Sequence, residues 1–201
     1  MSDVGFYFTL GWEHIISLDA LDHQLFILAL TVLYTLKEWK KVLILVTAFT
    51  IGHSITLALS TLNVLVIPSD LVEFFIPCTI FITAAANIIR PRPSPTFIQL
   101  NYFFAMFFGL IHGLGFANAL RFMLVQDQSL GWSLLSFNLG LEAGQIAVVV
   151  LLLSIAHLFI FYLKINHKYW IISISAIVLL VSLKMAIDRF PHKNNFNINS
   201  R

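Results

Sequence analysis

The sequence predicts an all-α protein: a polytopic membrane bundle of about six spanning helices, with a short N-terminal helix at the interface. Three observations predict it. Of 201 residues, 59% are hydrophobic and 11% charged, and the mean hydropathy is +0.88, whereas a soluble domain is roughly 45–50% apolar and about 25% charged. The apolar residues gather into runs near the ~20 residues that a hydrocarbon core about 30 Å thick requires. The breaks between runs are short and carry charge or proline, which leaves no room for an extramembrane domain. The composition excludes a soluble domain, a disordered chain and a coiled coil. A net charge of +2, with no basic run longer than Lys40-Lys41, argues against nucleic acid as a partner. The single cysteine, Cys78, excludes an intrachain disulfide and a Cys-only zinc site.

The elements follow in order. The first twenty residues lack the basic start and cleavage-like end of a signal peptide. Val4, Phe8, Ile15 and Leu18 recur at near-helical spacing with Tyr7 and Trp12 nearby, which predicts a short helix lying in the interface. Six spans follow, at 21–36, 42–62, 71–89, 97–119, 132–163 and 169–187. Lys37-Glu38-Trp39-Lys40-Lys41 separates the first two, and Pro68-Ser69-Asp70 opens the third. Arg90-Pro91-Arg92-Pro93-Ser94-Pro95 cannot continue a helix and ends it. Gln126-Asp127-Gln128-Ser129 and Asn166-His167-Lys168 bound the fifth span, whose extra length predicts a tilt or a broken or re-entrant start. Residues 1–190 read as one bundle and 191–201 as a polar tail. Lysine and arginine collect in the first, third and fifth loops (Lys37, Lys40 and Lys41; Arg90 and Arg92; Lys164 and Lys168). That bias places the N-terminus outside, although Arg189, Lys193 and Arg201 in the tail oppose it.

Ionisable groups inside a bilayer are costly, so each one at depth points to function. Asp22 and His23 stand at the mouth of the first span, His53 midway along the second, His112 in the latter half of the fourth and Glu142 in the first half of the fifth. His53 is roughly ten residues, about 15 Å, from the outer end of its span. With the N-terminus outside, all of these fall in the outer half of the bilayer and can share one site. Asn138, Glu142 and Gln145 lie on one side of a helix, as do Thr50, His53 and Ser54. Asp19 shares a face with Asp22 and His23 if that stretch is helical. Gly109 and Gly113, followed by Gly115, and then Gly140 and Gly144, are small residues at the spacing that lets helices approach closely.

Imidazole nitrogen with carboxylate oxygen suits divalent zinc, nickel, cobalt or iron, and the absence of cysteine from the set disfavours copper(I). A ligating imidazole donates its other N–H to an acceptor. Thr50, Ser54 and Asn138 are candidates for that supporting role, with Asp19 and Gln145 beside them. A lone intramembrane histidine is as readily a hydrogen bond between helices. The joint occurrence on four spans at similar depth favours a shared metal or proton site.

Four segments resemble the HupE/UreJ family of small polytopic bacterial membrane proteins. They are Gly11-Trp12-Glu13-His14-Ile15 leading to Asp22-His23-Gln24-Leu25-Phe26; Thr47 through Leu57 around Gly52-His53; Phe108-Gly109-Leu110-Ile111-His112-Gly113; and Phe137-Asn138-Leu139-Gly140-Leu141-Glu142-Ala143-Gly144-Gln145. The resemblance implies an inner-membrane protein that carries nickel or cobalt. It also implies that His14, Asp22, His23, His53, His112 and Glu142 are the motif positions, which adds His14 to the set. Seven residues separate His14 from Asp22 here, against five in the hydrogenase-linked branch, and Leu114-Gly115-Phe116 follow His112-Gly113. The chain therefore looks closer to the broader, UreJ-like branch.

Three functions compete. The first is a secondary permease for a divalent metal, with Zn, Ni or Co favoured as the bound ion; no ATP-binding motif is visible. The second is an intramembrane zinc-type metalloenzyme acting on a lipid or lipid-linked substrate, with Glu142 as general base. The third is a haem protein with His53 and His112 as axial ligands. Expected partners are the bilayer and the ion, and the glycine faces permit a homo-oligomer.

Overall fold

A computed structural model describes residues 3–91, 95–124 and 130–191, without the side chains of residues 3, 19, 95–98 and 117–124. The fourth loop, most of the polar tail and the Asp19 side chain therefore lie outside the described residues. Among those residues the regular structure is all helical. Seven α-helices run α1 Asp3–Ile16, α2 Leu21–Thr31, α3 Trp39–Thr61, α4 Ser69–Ile89, α5 Pro95–Leu124, α6 Leu130–His157 and α7 His167–Asp188.

Local chemistry sets the ends. The turn Leu36–Glu38 before α3 is closed by a capping box between Thr35 and Glu38, and Lys41 pairs with Glu38 at 2.8 Å. Asn166 caps α7 by accepting the Lys168 N–H at 3.0 Å. The excess length of the fifth span is not a broken start: α6 is continuous from Leu130, and a single π turn, Leu158–Tyr162, extends its far end.

Among the described residues, four stretches are long and apolar enough to cross a membrane: Leu36–Thr61, Ser69–Ile89, Leu130–Tyr162 and His167–Asp188. The 30-residue α5, about 45 Å long, runs parallel to α3. The first span differs from the sequence reading. α2 has 11 residues, about 16 Å, too short to cross by itself. The N-terminal helix is present, but it packs lengthwise on α6 instead of lying apart at the interface. Ser136 Oγ donates to Val4 O, Gly140 lies under the Phe8 carbonyl, and Gly144 under Trp12 and Ile15. Leu21, Leu25 and Leu28 of α2 then share a groove with Ala147, Val148 and Leu151. α1 and α2 thus follow α6 in the same direction as the two halves of one discontinuous span, broken at residues 17–20.

Close backbone approach joins the helices. A Cβ on Gly52, Gly109 or Gly113 would fall under 3.0 Å from backbone carbonyl oxygens of the facing helix in the α3–α5 pair, and Gly11 and Gly140 do the same for α1–α6. Lipid is as apolar as leucine, so tight packing and interhelical hydrogen bonds hold such helices together. Asn87 of α4 donates to Ala29 O of α2 at 2.7 Å, and α4 runs antiparallel to α7, with Phe74 against Phe190. The outer faces keep their large apolar side chains exposed, among them Ile44, Phe103, Val150 and Leu180, as a surface facing acyl chains does.

Candidate metal centre

The break between α1 and α2 builds the site. His14 stands on the last turn of α1 and His23 on the first turn of α2, and the break over residues 17–20 brings their rings to 4.6 Å between centroids. The last carbonyls of a helix have no partner within it. Gln24 supplies one: its amide nitrogen donates to the carbonyls of Ile15 at 3.2 Å, Ile16 at 3.2 Å and Ser17 at 2.9 Å. His53 comes in from the middle of α3, 6.1 Å from both His14 and His23, and His112 from α5, 5.1 Å from His23.

One ring nitrogen each from His14, His23 and His53 lies within 4.8 Å of the others. Nitrogen ligands at about 2.0–2.1 Å on a tetrahedral zinc are roughly 3.3 Å apart, so a small inward movement of the rings completes a three-nitrogen site. The hydrogen-bond pattern supports a ligand there. His14 Nε2, His23 Nε2, both nitrogens of His53 and His112 Nε2 are buried with no hydrogen-bond partner among the described residues. Leaving a buried polar atom unpaired costs about 1–3 kcal/mol, and unpaired nitrogens on four neighbouring imidazoles are the pattern of a group that binds among them. Two of the other nitrogens are fixed. His112 Nδ1 lies 2.9 Å from Phe108 O, and His23 Nδ1 lies 3.1 Å from Asp22 Oδ1. Each contact holds the N–H on Nδ1 and turns the Nε2 lone pair to the cluster.

Aromatic rings form the shell. Phe116 sits 4.0 Å from the His14 ring and stacks on Phe137, and Phe26 and Phe49 flank His112 at 5.2 and 5.1 Å. On one side the shell opens into a cavity of about 470 Å³, whose walls include His14, Asp22, His23, His112, Glu73 and Arg189.

Two of the expected ligands are placed differently. Asp22 is at the site, but its oxygens are engaged: Oδ1 by the His23 backbone N–H at 2.9 Å and by His23 Nδ1, Oδ2 by Arg189 Nη1 at 3.3 Å. It orients His23 instead of facing the cluster. Glu142 does not join the histidines; it accepts from Thr47 Oγ1 at 2.7 Å, about two turns along α3 from His53. Gly140 and Gly144 turn one side of α6 to α1, Phe137 covers His53, and the polar stripe is left facing the first half of α3. Thr50 donates to Gln145 Oε1 at 2.8 Å, and Ser54 donates to Thr50 O at 2.7 Å. These expected supports of the histidines bond to each other and to the backbone, while Asn138 Oδ1 is buried without a partner among the described residues. His157 stacks on Phe161, remote from the cluster.

Gln24 and Arg189 are the positions at the site that sequence reasoning passed over. Arg189 reads as tail, yet it is the residue directly after α7 and reaches Asp22. An arginine at the end of an apolar span, with an aspartate at the mouth of another, was the available signal.

Fold and site together define a class: a helical membrane protein with a buried histidine cluster, set at a break in a discontinuous span, that can hold a metal ion. The family model described as HupE / UreJ protein matches residues 1–189. The chain belongs to the HupE/UreJ family. No curated protein and no solved structure matches it.

Proposed function

We propose that the protein is a secondary permease for a divalent transition-metal ion, with nickel, cobalt and zinc as candidate cargo, in a bacterial inner membrane with its N-terminus outside. The observation that carries this reading is the set of five unpartnered, buried imidazole nitrogens at the broken first span. Discontinuous helices are where transporters place ion sites, and imidazole is the donor that borderline divalent ions take. The ion would come in through the cavity beside Glu73, lose water to His14, His23 and His53, and leave along α3. Beyond His53 the pairs Thr50–Gln145 and Thr47–Glu142 follow at one-turn intervals and supply polar groups for that inward leg.

A hydrolytic zinc enzyme has less support, because Glu142, the carboxylate it would use as base, is bonded to Thr47 instead. A haem is disfavoured by rings that converge at 4.6–6.1 Å among packed phenylalanines. The test is uptake of Ni²⁺, Co²⁺ and Zn²⁺ into liposomes carrying the purified protein. The protein is expected to accelerate uptake of at least one ion, and His53→Ala to abolish it. Equal uptake with and without His53 would overturn the proposal. Tight binding with no transport would transfer support to the enzyme.

A further inference from the structure

The cavity outside the histidines has a charge arrangement that metal binding alone does not require. Two carboxylates, Asp22 and Glu73, line it with the guanidinium of Arg189. A cation site ordinarily excludes fixed positive charge. Here Arg189 is held by α7, its backbone N–H bonded to Met185 O at 3.0 Å, and its Nη1 lies 3.3 Å from Asp22 Oδ2. The other Asp22 oxygen is used by His23, so Glu73 is the remaining carboxylate on the cavity wall.

We propose that Arg189 is a specificity-determining residue: by occupying Asp22 it leaves an arriving cation a wall of imidazoles in place of a pair of carboxylates, and so excludes hard ions such as Ca²⁺ and Mg²⁺. Hard cations need several oxygen ligands, carboxylates foremost. Borderline ions bind imidazole nitrogen without them. An arginine suits this task because it stays charged at any physiological pH and is weakly hydrated. With Arg189 paired, the two carboxylates and the guanidinium leave the wall one net negative charge. Without it, Asp22 Oδ2 and Glu73 together form an oxygen-rich mouth with two.

The inference rests on the reading that this cavity admits a metal ion, and the experiment separates the two. Zn²⁺ and Ca²⁺ binding is measured by calorimetry on the purified full chain in detergent, for the unmodified protein, Arg189→Gln, Arg189→Lys and the double variant Asp22→Asn/Arg189→Gln. The unmodified protein is expected to bind Zn²⁺ at least about a hundredfold tighter than Ca²⁺, a gap of about 2.7 kcal/mol. Arg189→Gln is expected to bind Ca²⁺ at least tenfold more tightly than the unmodified chain. Arg189→Lys keeps the charge and should keep the exclusion, and the double variant, which no longer gains a free carboxylate, should return Ca²⁺ affinity to its original level. A folded, Zn²⁺-binding Arg189→Gln with unchanged Ca²⁺ affinity overturns the proposal and leaves the metal site standing. An unmodified chain that binds neither ion removes both. If the Gln variant does not fold, Arg189→Met, which keeps the apolar stem, gives the same two readings.

Discussion

Substituting Gly113 by alanine perturbs fold and site through a single atom. Gly113 lies on α5 against α3, and a Cβ there would sit 2.9 Å from His53 Cα and closer still to His53 O and Thr56 Oγ1. Ordinary contact begins at about 3.4 Å, so α3 must retreat by at least about half an ångström, and further to clear the carbonyl. The obstacle is backbone, which cannot rotate away as a side chain does. Overpacking costs about 1–3 kcal/mol and occasionally more, and this position belongs at the upper end, near 3 kcal/mol. The displaced residue is His53 itself. Metal–ligand distances tolerate only about 0.2 Å, so Zn²⁺ affinity should fall at least about tenfold, or 1.4 kcal/mol. Gly131→Ala is the control, because nothing among the described residues lies within 4 Å of its Cβ position. The assay is thermal unfolding in detergent followed by Zn²⁺ calorimetry on each variant. A Gly113→Ala protein with unaltered melting and affinity, or a Gly131→Ala protein equally damaged, would refute the reasoning.

Gln24→Leu removes the amide that closes the α1 end; a loss of about 1–3 kcal/mol in stability and weaker Zn²⁺ binding are expected, since His14 and His23 flank the turn, and unchanged melting would show that the clamp contributes nothing. Glu142→Gln can still accept from Thr47, so equilibrium Zn²⁺ binding should change by no more than about 0.6 kcal/mol, roughly threefold, while liposome uptake slows. Loss of binding in that variant would place Glu142 among the ligands.

Much of this protein is legible without coordinates. The thickness of a bilayer and the cost of burying charge act on each segment separately, and so composition fixes the helices, their approximate ends and the short list of polar residues that need a reason to be inside. His23, His53 and His112 emerge from that cost alone. The family motif adds His14, which sits in a 14-residue helix too short to read as a span. The tertiary structure decided how the pieces face. α1 is half of a broken span because Gly11, Gly140 and Gly144 let it press against α6. Glu142 turns to Thr47 and away from the histidines, although its polar stripe was correctly spaced. Arg189, at the end of the last helix, reaches an aspartate in the first span. Helical periodicity assigns residues to a face but leaves the rotation of that helix about its own axis free. That rotation is set by contacts with every neighbour at once, and no single segment contains it.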